Sequence, residues 1–237
     1  MQGEQGLRRE VVHLCTHMYD RGYIAGADGN VSVRLGTDRI AVTPSGVHKG
    51  FLKPADLVIT DLDGRPQGRT TKPTSELAMH LEIYRLRPDV RAVVHAHPPY
   101  AIAASVAGVS LAQCLLPEVI FALGSIHHAG YATPTTDDVP AILREPLRHH
   151  DALILDRHGT VTLGPDVQTA FNRLESVEHT AKVSAIARGL GPVAPLPDHE
   201  IARIRKVAGA VGLPRPYRTC DSCDVCPTDS APRRSAR

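Results

Sequence analysis

The chain has 237 residues, of which 42% are hydrophobic, 22% charged and only 4% aromatic, with no tryptophan. At about 150 residues per domain, this is one large domain or one domain plus a tail, long enough to bury a core without disulfide or metal staples. A formal charge of +2, from 27 Lys and Arg against 25 Asp and Glu, excludes a global basic field for nucleic acid or a membrane surface, and excludes charge-driven disorder.

No apolar run follows Glu4, Arg8, Arg9 and Glu10, so no signal peptide is expected. Leu7, Val11, Leu14, Cys15 and Met18 recur at three- and four-residue steps and predict an amphipathic helix over 4–20. Gly22, Gly26 and Gly29 then punctuate a loop. Short β-branched runs predict strands at 31–34, 39–43 and 57–60, the last closed by the turn signal Asp61-Leu-Asp-Gly64. Thr74-Ser75 reads as the N-cap region of a helix to about Arg85, with Leu77, Leu81 and Tyr84 on one face.

Ala92 to His95 predicts a buried strand, and Pro99 to about Ala107 a helix. Arg91 and Glu118 enclose a stretch without charged residues, but His95, His97, Pro98, Pro99, Ser105, Ser110 and Gln113 make it too polar and broken for a bilayer span. Strands are predicted at 152–155 and 160–163, joined by the tight turn Asp156-Arg-His-Gly159. Residues 166–189 predict the longest helix, with Val167, Ala170, Phe171, Leu174, Val177 and Ala181 on its inner side. A last helix runs from Asp198 to about Val211 and ends near Gly212. This order is not a regular β-α alternation; it predicts an α/β domain over 1–216 with a largely antiparallel sheet. Residues 217–237 are polar and rich in Pro, Ser and Arg, and read as a flexible tail.

The chemistry is carried by a few positions. His95-Ala-His97 alternates on a predicted strand, so both imidazoles leave the same face and suit one divalent cation such as zinc. His158, fixed in a tight turn, is a third candidate ligand. Glu76 is a fourth, placed in the first turn of a helix where the dipole favours a carboxylate. Three segments have the chemistry of an anion cradle: Gly26-Ala-Asp-Gly29-Asn30, Thr43-Pro-Ser45-Gly46, and the hydroxyls of Thr74 and Ser75 at a helix start.

The ordered motifs Gly29-Asn-Val-Ser32, Thr43-Pro-Ser-Gly46, Pro73-Thr-Ser-Glu76, Val94-His-Ala-His97 and Arg157-His-Gly159 resemble the class II aldolase/adducin-head family, on the L-fuculose-1-phosphate aldolase branch. The resemblance spans residues 5–212. It implies a three-layer αβα domain around a central, largely antiparallel sheet, and a cyclic homotetramer with active sites at subunit interfaces. It also implies a catalytic zinc on Glu76, His95, His97 and His158, with manganese or cobalt as substitutes. Gly29, Asn30, Ser45, Gly46, Thr74 and Ser75 would bind the substrate phosphate. The implied reaction cleaves a ketose 1-phosphate to dihydroxyacetone phosphate and an aldehyde through an enediolate, with Glu76 transferring the proton.

The family's tyrosine near Leu115-Leu-Pro-Glu118 is missing here, and Tyr217 is the one C-terminal candidate. Glu118 and Tyr217 therefore stand as additional acid/base groups, and the aldehyde half is open. An apolar Leu-Leu wall suits a 5-deoxyribulose or 5-methylthioribulose 1-phosphate; methylthioribulose-1-phosphate dehydratase and sugar-acid decarboxylase activities use the same histidines. An adducin-like interaction module is the non-enzyme reading, and it expects the ligands to be lost. Cys220, Cys223 and Cys226, followed by Pro227, depart from the family ending and read as an exposed reducible tail or as a zinc or iron–sulfur site. The expected partners are a sugar phosphate and copies of the same chain, with no nucleic acid and no membrane. The expected compartment is the cytoplasm.

Overall fold

Side chains that alternate along the central strands create two apolar faces, and the fold follows from covering both. The computed structural model describes residues 3–68 and 71–210. Within them run helix α1 (Glu4–Asp20), strands β1 (Asn30–Arg34), β2 (Arg39–Val42) and β3 (Val58–Asp61), helix α2 (Leu77–Leu86), strand β4 (Ala92–Ala96) and helix α3 (Pro99–Val106). Next come α4 (Pro117–Ala122), β5 (His127–His128), α5 (Asp138–Leu143), β6 (Ala152–Leu155), β7 (Gly159–Gly164), α6 (Val167–Leu190) and α7 (Asp198–Ala210). The seven strands form one sheet in the order β3-β2-β1-β4-β7-β6-β5. Every pairing is antiparallel except β5 with β6.

One face carries Val31 and Val33 of β1 with Ala92 and Val94 of β4, and packs on Val11, Leu14 and Met18 of α1 and Phe171 and Leu174 of α6. The other carries Val93 of β4, Leu153 of β6 and Val161 and Leu163 of β7, and packs on Met79, Ile83 and Tyr84 of α2 and Val139 and Leu143 of α5. Helices on both sides make a three-layer αβα domain, and all of β1, β4, β6 and β7 is buried. Helix α6 starts at Asp166, whose carboxylate accepts from the Thr169 N–H (2.6 Å). That bond satisfies one of the orphan donors of the first turn. Glu178, in the middle of α6, serves the start of α3: its carboxylate accepts from the N–H groups of Tyr100 (3.0 Å) and Ala101 (2.9 Å). A residue distant in sequence thus caps a helix whose own first positions are prolines.

The predicted helices and strands lie where their periodicity put them, with two differences. The carboxylate-bearing Glu76 stands at the N-cap position, with α2 beginning at Leu77, and Thr74 and Ser75 precede it. The stretch 117–148, for which no periodic signal exists, holds the six-residue helices α4 and α5 and the two-residue strand β5. Elements of that length contain too few turns or alternations to show a period. Tyr217, Cys220, Cys223, Cys226 and the expected helix end at Gly212 lie outside the described residues. Among the described residues no helix is long and apolar enough to cross a membrane.

Candidate active site

The pairing register sets the centre of the site. His95 lies opposite Asn30 of β1 on one side and Val161 of β7 on the other. His97 therefore emerges just past the end of β4, beside the turn that carries His158, because Ala96 is paired with Thr160. Both histidines, His95 and His97, leave on the face covered by α2, where Glu76 stands. One ligand atom each from Glu76, His95, His97 and His158 lies within 4.8 Å of the others. This is the one such group among the described residues.

Two glycines permit this crowding. Gly29 has φ +67°, and a Cβ there would meet the His95 carbonyl oxygen at 2.8 Å and Ile24 Cγ2 at 2.6 Å. A Cβ on Gly159 would approach the Ala96 carbonyl oxygen to 2.3 Å. Any side chain at either position must push β1 or β7 away from β4, and with it the cluster.

His95 is fully buried and donates Nδ1–H to the Thr160 carbonyl (2.9 Å), which turns Nε2 towards the cluster. There Nε2 lies 3.0 Å from His97 Nε2 and 3.1 Å from Glu76 Oε2. His158 Nε2 stands 3.4 Å from Glu76 Oε1. Glu76 Oε1 and His158 Nδ1 are buried without a hydrogen-bond partner. Burial, and then the charge of neighbouring imidazoles, pushes His97 down to about 3 and His158 down to about 4. Burial alone would raise the Glu76 carboxyl, but His95, Asn30 and His158 together hold it well below the usual range. At neutral pH the site thus holds a carboxylate beside the neutral imidazoles of His97 and His158. Three nitrogens and one oxygen with unsatisfied buried atoms fit a divalent cation of borderline softness.

Behind Glu76 runs a buried polar relay that the sequence did not announce. Asn30 Nδ2 donates to Glu76 Oε2 (2.8 Å) and Asn30 Oδ1 accepts from His80 Nε2 (2.5 Å). His80 Nδ1 then accepts from Ser32 Oγ (2.6 Å), which accepts from Tyr84 OH (2.9 Å). The tautomer of His80 follows from this network, in which every donor points towards Glu76. Burial, helped by the His95 charge, pushes His80 down to about 3, so it serves as a neutral relay. The only sequence signal was a histidine four residues after Glu76, on the same face of α2.

The three cradle segments are also neighbours. Pro44 and Pro73 form an antiparallel bridge, with Ser45 N–H donating to the Lys72 carbonyl (3.1 Å) and Thr74 N–H to the Thr43 carbonyl (3.1 Å). Ser45, Gly46 and Ser75 are exposed, Thr74 is buried, and the Thr74 hydroxyl accepts from the Glu76 N–H (3.3 Å). The Asn30 amide differs from expectation: its side chain is committed to Glu76 and His80. Glu118 is exposed in the first turn of α4 and is not one of the four clustered groups.

The architecture is that of the class II aldolase fold. The class II aldolase and adducin N-terminal domain family model matches residues 9–185, and the chain belongs to that family. The L-fuculose phosphate aldolase of Methanococcus maripaludis is 37% identical over 182 residues, 76% of this chain and 97% of its own length. The 3-oxo-tetronate 4-phosphate decarboxylase of Escherichia coli K12 is 32% identical over 206 residues, 85% of this chain and 96% of its own. The crystal structure of the Escherichia coli protein YgbL superposes with a TM-score of 0.79 at 32% identity, covering 85% of this chain and 99% of that one. The chain is an enzyme of the lyase class, in a metal-dependent family.

Proposed function

We propose that this enzyme is a divalent-metal-dependent aldolase that cleaves a ketose 1-phosphate of the L-fuculose type to dihydroxyacetone phosphate and an aldehyde. The observation that carries the reading is the convergence of Glu76, His95, His97 and His158 within 4.8 Å, next to the bridged cradle segments. Those four residues would hold the cation, with zinc preferred by the nitrogen-rich donor set and manganese or cobalt as substitutes. The cation supplies Lewis-acid stabilisation of the charge left on the keto half after carbon–carbon cleavage.

The protein's own groups do the rest. Gly29, Asn30, Ser45, Gly46, Thr74 and Ser75 form the phosphate end, Asn30 through its backbone because its amide is already used. Fixing that end orients the bond to be cleaved. Glu76, kept ionised at rest and aimed by Asn30, transfers the proton at the carbon that carries the charge, taking it in the condensation direction and delivering it in the cleavage direction. Glu118 and Tyr217 are the additional acid/base groups of this reading, and the enzyme acts as a homotetramer with interfacial active sites in the cytoplasm. The apolar pair Leu115-Leu116 favours a deoxy or thiomethyl end, as in 5-deoxyribulose or 5-methylthioribulose 1-phosphate.

A second reading, decarboxylation of a phosphorylated 3-oxo acid, is favoured by the 32% identity to the Escherichia coli decarboxylase over 85% of the chain. Loss of carbon dioxide from such an acid leaves the same kind of charge beside a carbonyl, so the same donor set serves it. The test is to incubate metal-loaded enzyme with fuculose, ribulose, 5-deoxyribulose and methylthioribulose 1-phosphates, coupling any dihydroxyacetone phosphate to a reductase. Dihydroxyacetone phosphate from at least one supports the aldolase. Carbon dioxide from a phosphorylated 3-oxo acid, with no product from the ketoses, transfers the enzyme to the second reading.

A further inference from the structure

Lys49 is 2% exposed, yet none of the ion pairs among the described residues involves it. Its ammonium donates to the carbonyls of Ala27 (2.8 Å), Pro44 (3.2 Å) and Val47 (2.9 Å). Its backbone N–H donates to the Gly26 carbonyl (2.9 Å). Three carbonyl acceptors need three N–H donors, which the ammonium has and the neutral amine lacks. The group is therefore a positive charge held directly by three neutral dipoles, with the Asp28 carboxylate of the first loop acting on it only through space.

The two loops that it ties, 26–29 and 44–47, both carry residues of the cradle, and the second is bridged in turn to Pro73. A buried lysine with no carboxylate in direct contact is costly, and such a charge persists where a nearby anion or a necessary geometry repays the desolvation. We propose that Lys49 is a positioning residue for the phosphate end: it sets the spacing of the two loops and supplies positive charge beneath the bound anion. This inference rests on the cradle reading above. It adds to that reading the residue that makes the cradle selective for a dianion over a neutral hydroxymethyl end.

The test compares wild type, Lys49→Met and Lys49→Arg, each loaded with metal, using inorganic phosphate as the probe. In Lys49→Met the inhibition constant for phosphate and the KM for the phosphorylated substrate should rise about tenfold or more, because one unit of positive charge that favours a dianion is removed. Metal stoichiometry and kcat should stay within about twofold, and Lys49→Arg should recover most of the phosphate affinity. A merely structural lysine would lower kcat, metal content and phosphate affinity together. Unchanged phosphate affinity in folded Lys49→Met overturns the inference.

Should Lys49→Met fail to fold, the decision passes to wild-type protein labelled with 15N-lysine. The Lys49 ammonium resonance, assigned by its loss in Lys49→Arg, should shift saturably with added phosphate. No shift while phosphate still inhibits overturns the role of Lys49. Absence of any phosphate binding to metal-loaded wild type instead overturns the cradle reading on which it rests.

Discussion

The histidine cluster and the small-residue cradle lie side by side but are fixed by different physics. The cluster hangs on strand pairing: β4 is held between β1 and β7, and the ladder alone determines that His95, His97 and His158 meet. The cradle hangs on loops, joined by an isolated bridge and by the carbonyls that converge on the Lys49 ammonium. A sheet at the centre of two packed faces tolerates little displacement, whereas a loop can shift by a fraction of an ångström when one tie is lost. Chemistry that needs a fixed donor set thus sits on the rigid part. Recognition of the substrate's remote end sits on the part that can be tuned.

Four substitutions or titrations break this contrast, beginning with the largest effect. His97→Ala removes one ligand and leaves the fold, since His97 is only half-buried at a strand end. Metal content by atomic absorption should fall below one-tenth of wild type, and turnover should drop by about 10³ or more. Full activity in metal-free protein would end the metal reading. Gly29→Ala should strike the rigid half hardest in stability. Its Cβ meets the His95 carbonyl at 2.8 Å in a left-handed conformation, so a loss of about 3 kcal/mol in denaturant unfolding is expected, with weakened metal binding.

The pH dependence of metal-free protein is the next test. His97 and His158 titrate at about 3 and about 4 in the folded chain, below the ordinary 6.5, so the unfolded chain binds protons first as pH falls. Their contribution is complete above about 6.5 and is lost as pH falls towards 3–4; Glu76, also lowered, adds a loss of the same sign below its ordinary 4.5. The melting temperature should therefore drop between pH 6.5 and 4. A flat profile would mean that the cluster is more solvated than its burial indicates. Gly46→Ala is the smallest effect and sharpens the contrast. Gly46 also has a positive φ, +68°, but nothing lies within 4 Å of an added Cβ. A loss of about 1 kcal/mol, unchanged metal binding and a higher KM are expected.

Much of the fold was legible because its longer elements carry a period. The apolar stripes of α1 and α6 and the β-branched runs of the central strands report their own burial, and α6 starts within one residue of its predicted position. The region 117–148 was not legible, for its elements are too short to repeat. In the site, the residue types were legible but their neighbours were not. Asn30 reads as an anion donor, yet its amide is claimed by Glu76 and by His80, fifty residues away on α2. Lys49 carries no signal in the sequence, since nothing local says that three carbonyls will close around it.

By itself, then, the sequence determined which segments become strands and helices, that two histidines share one strand face, and that three loops are made of small hydrogen-bonding residues. These are local properties, written in spacings of two, three and four residues. Only the tertiary structure decided that His158 joins His95 and His97, that Glu76, at the N-cap position of α2, stands within reach of all three, and that a buried ammonium ties two loops together. Those outcomes depend on the register between strands up to 65 residues apart and on which polar groups are left without water once both sheet faces close. No local pattern encodes them, because hydrogen-bond partners are chosen by proximity in the packed core.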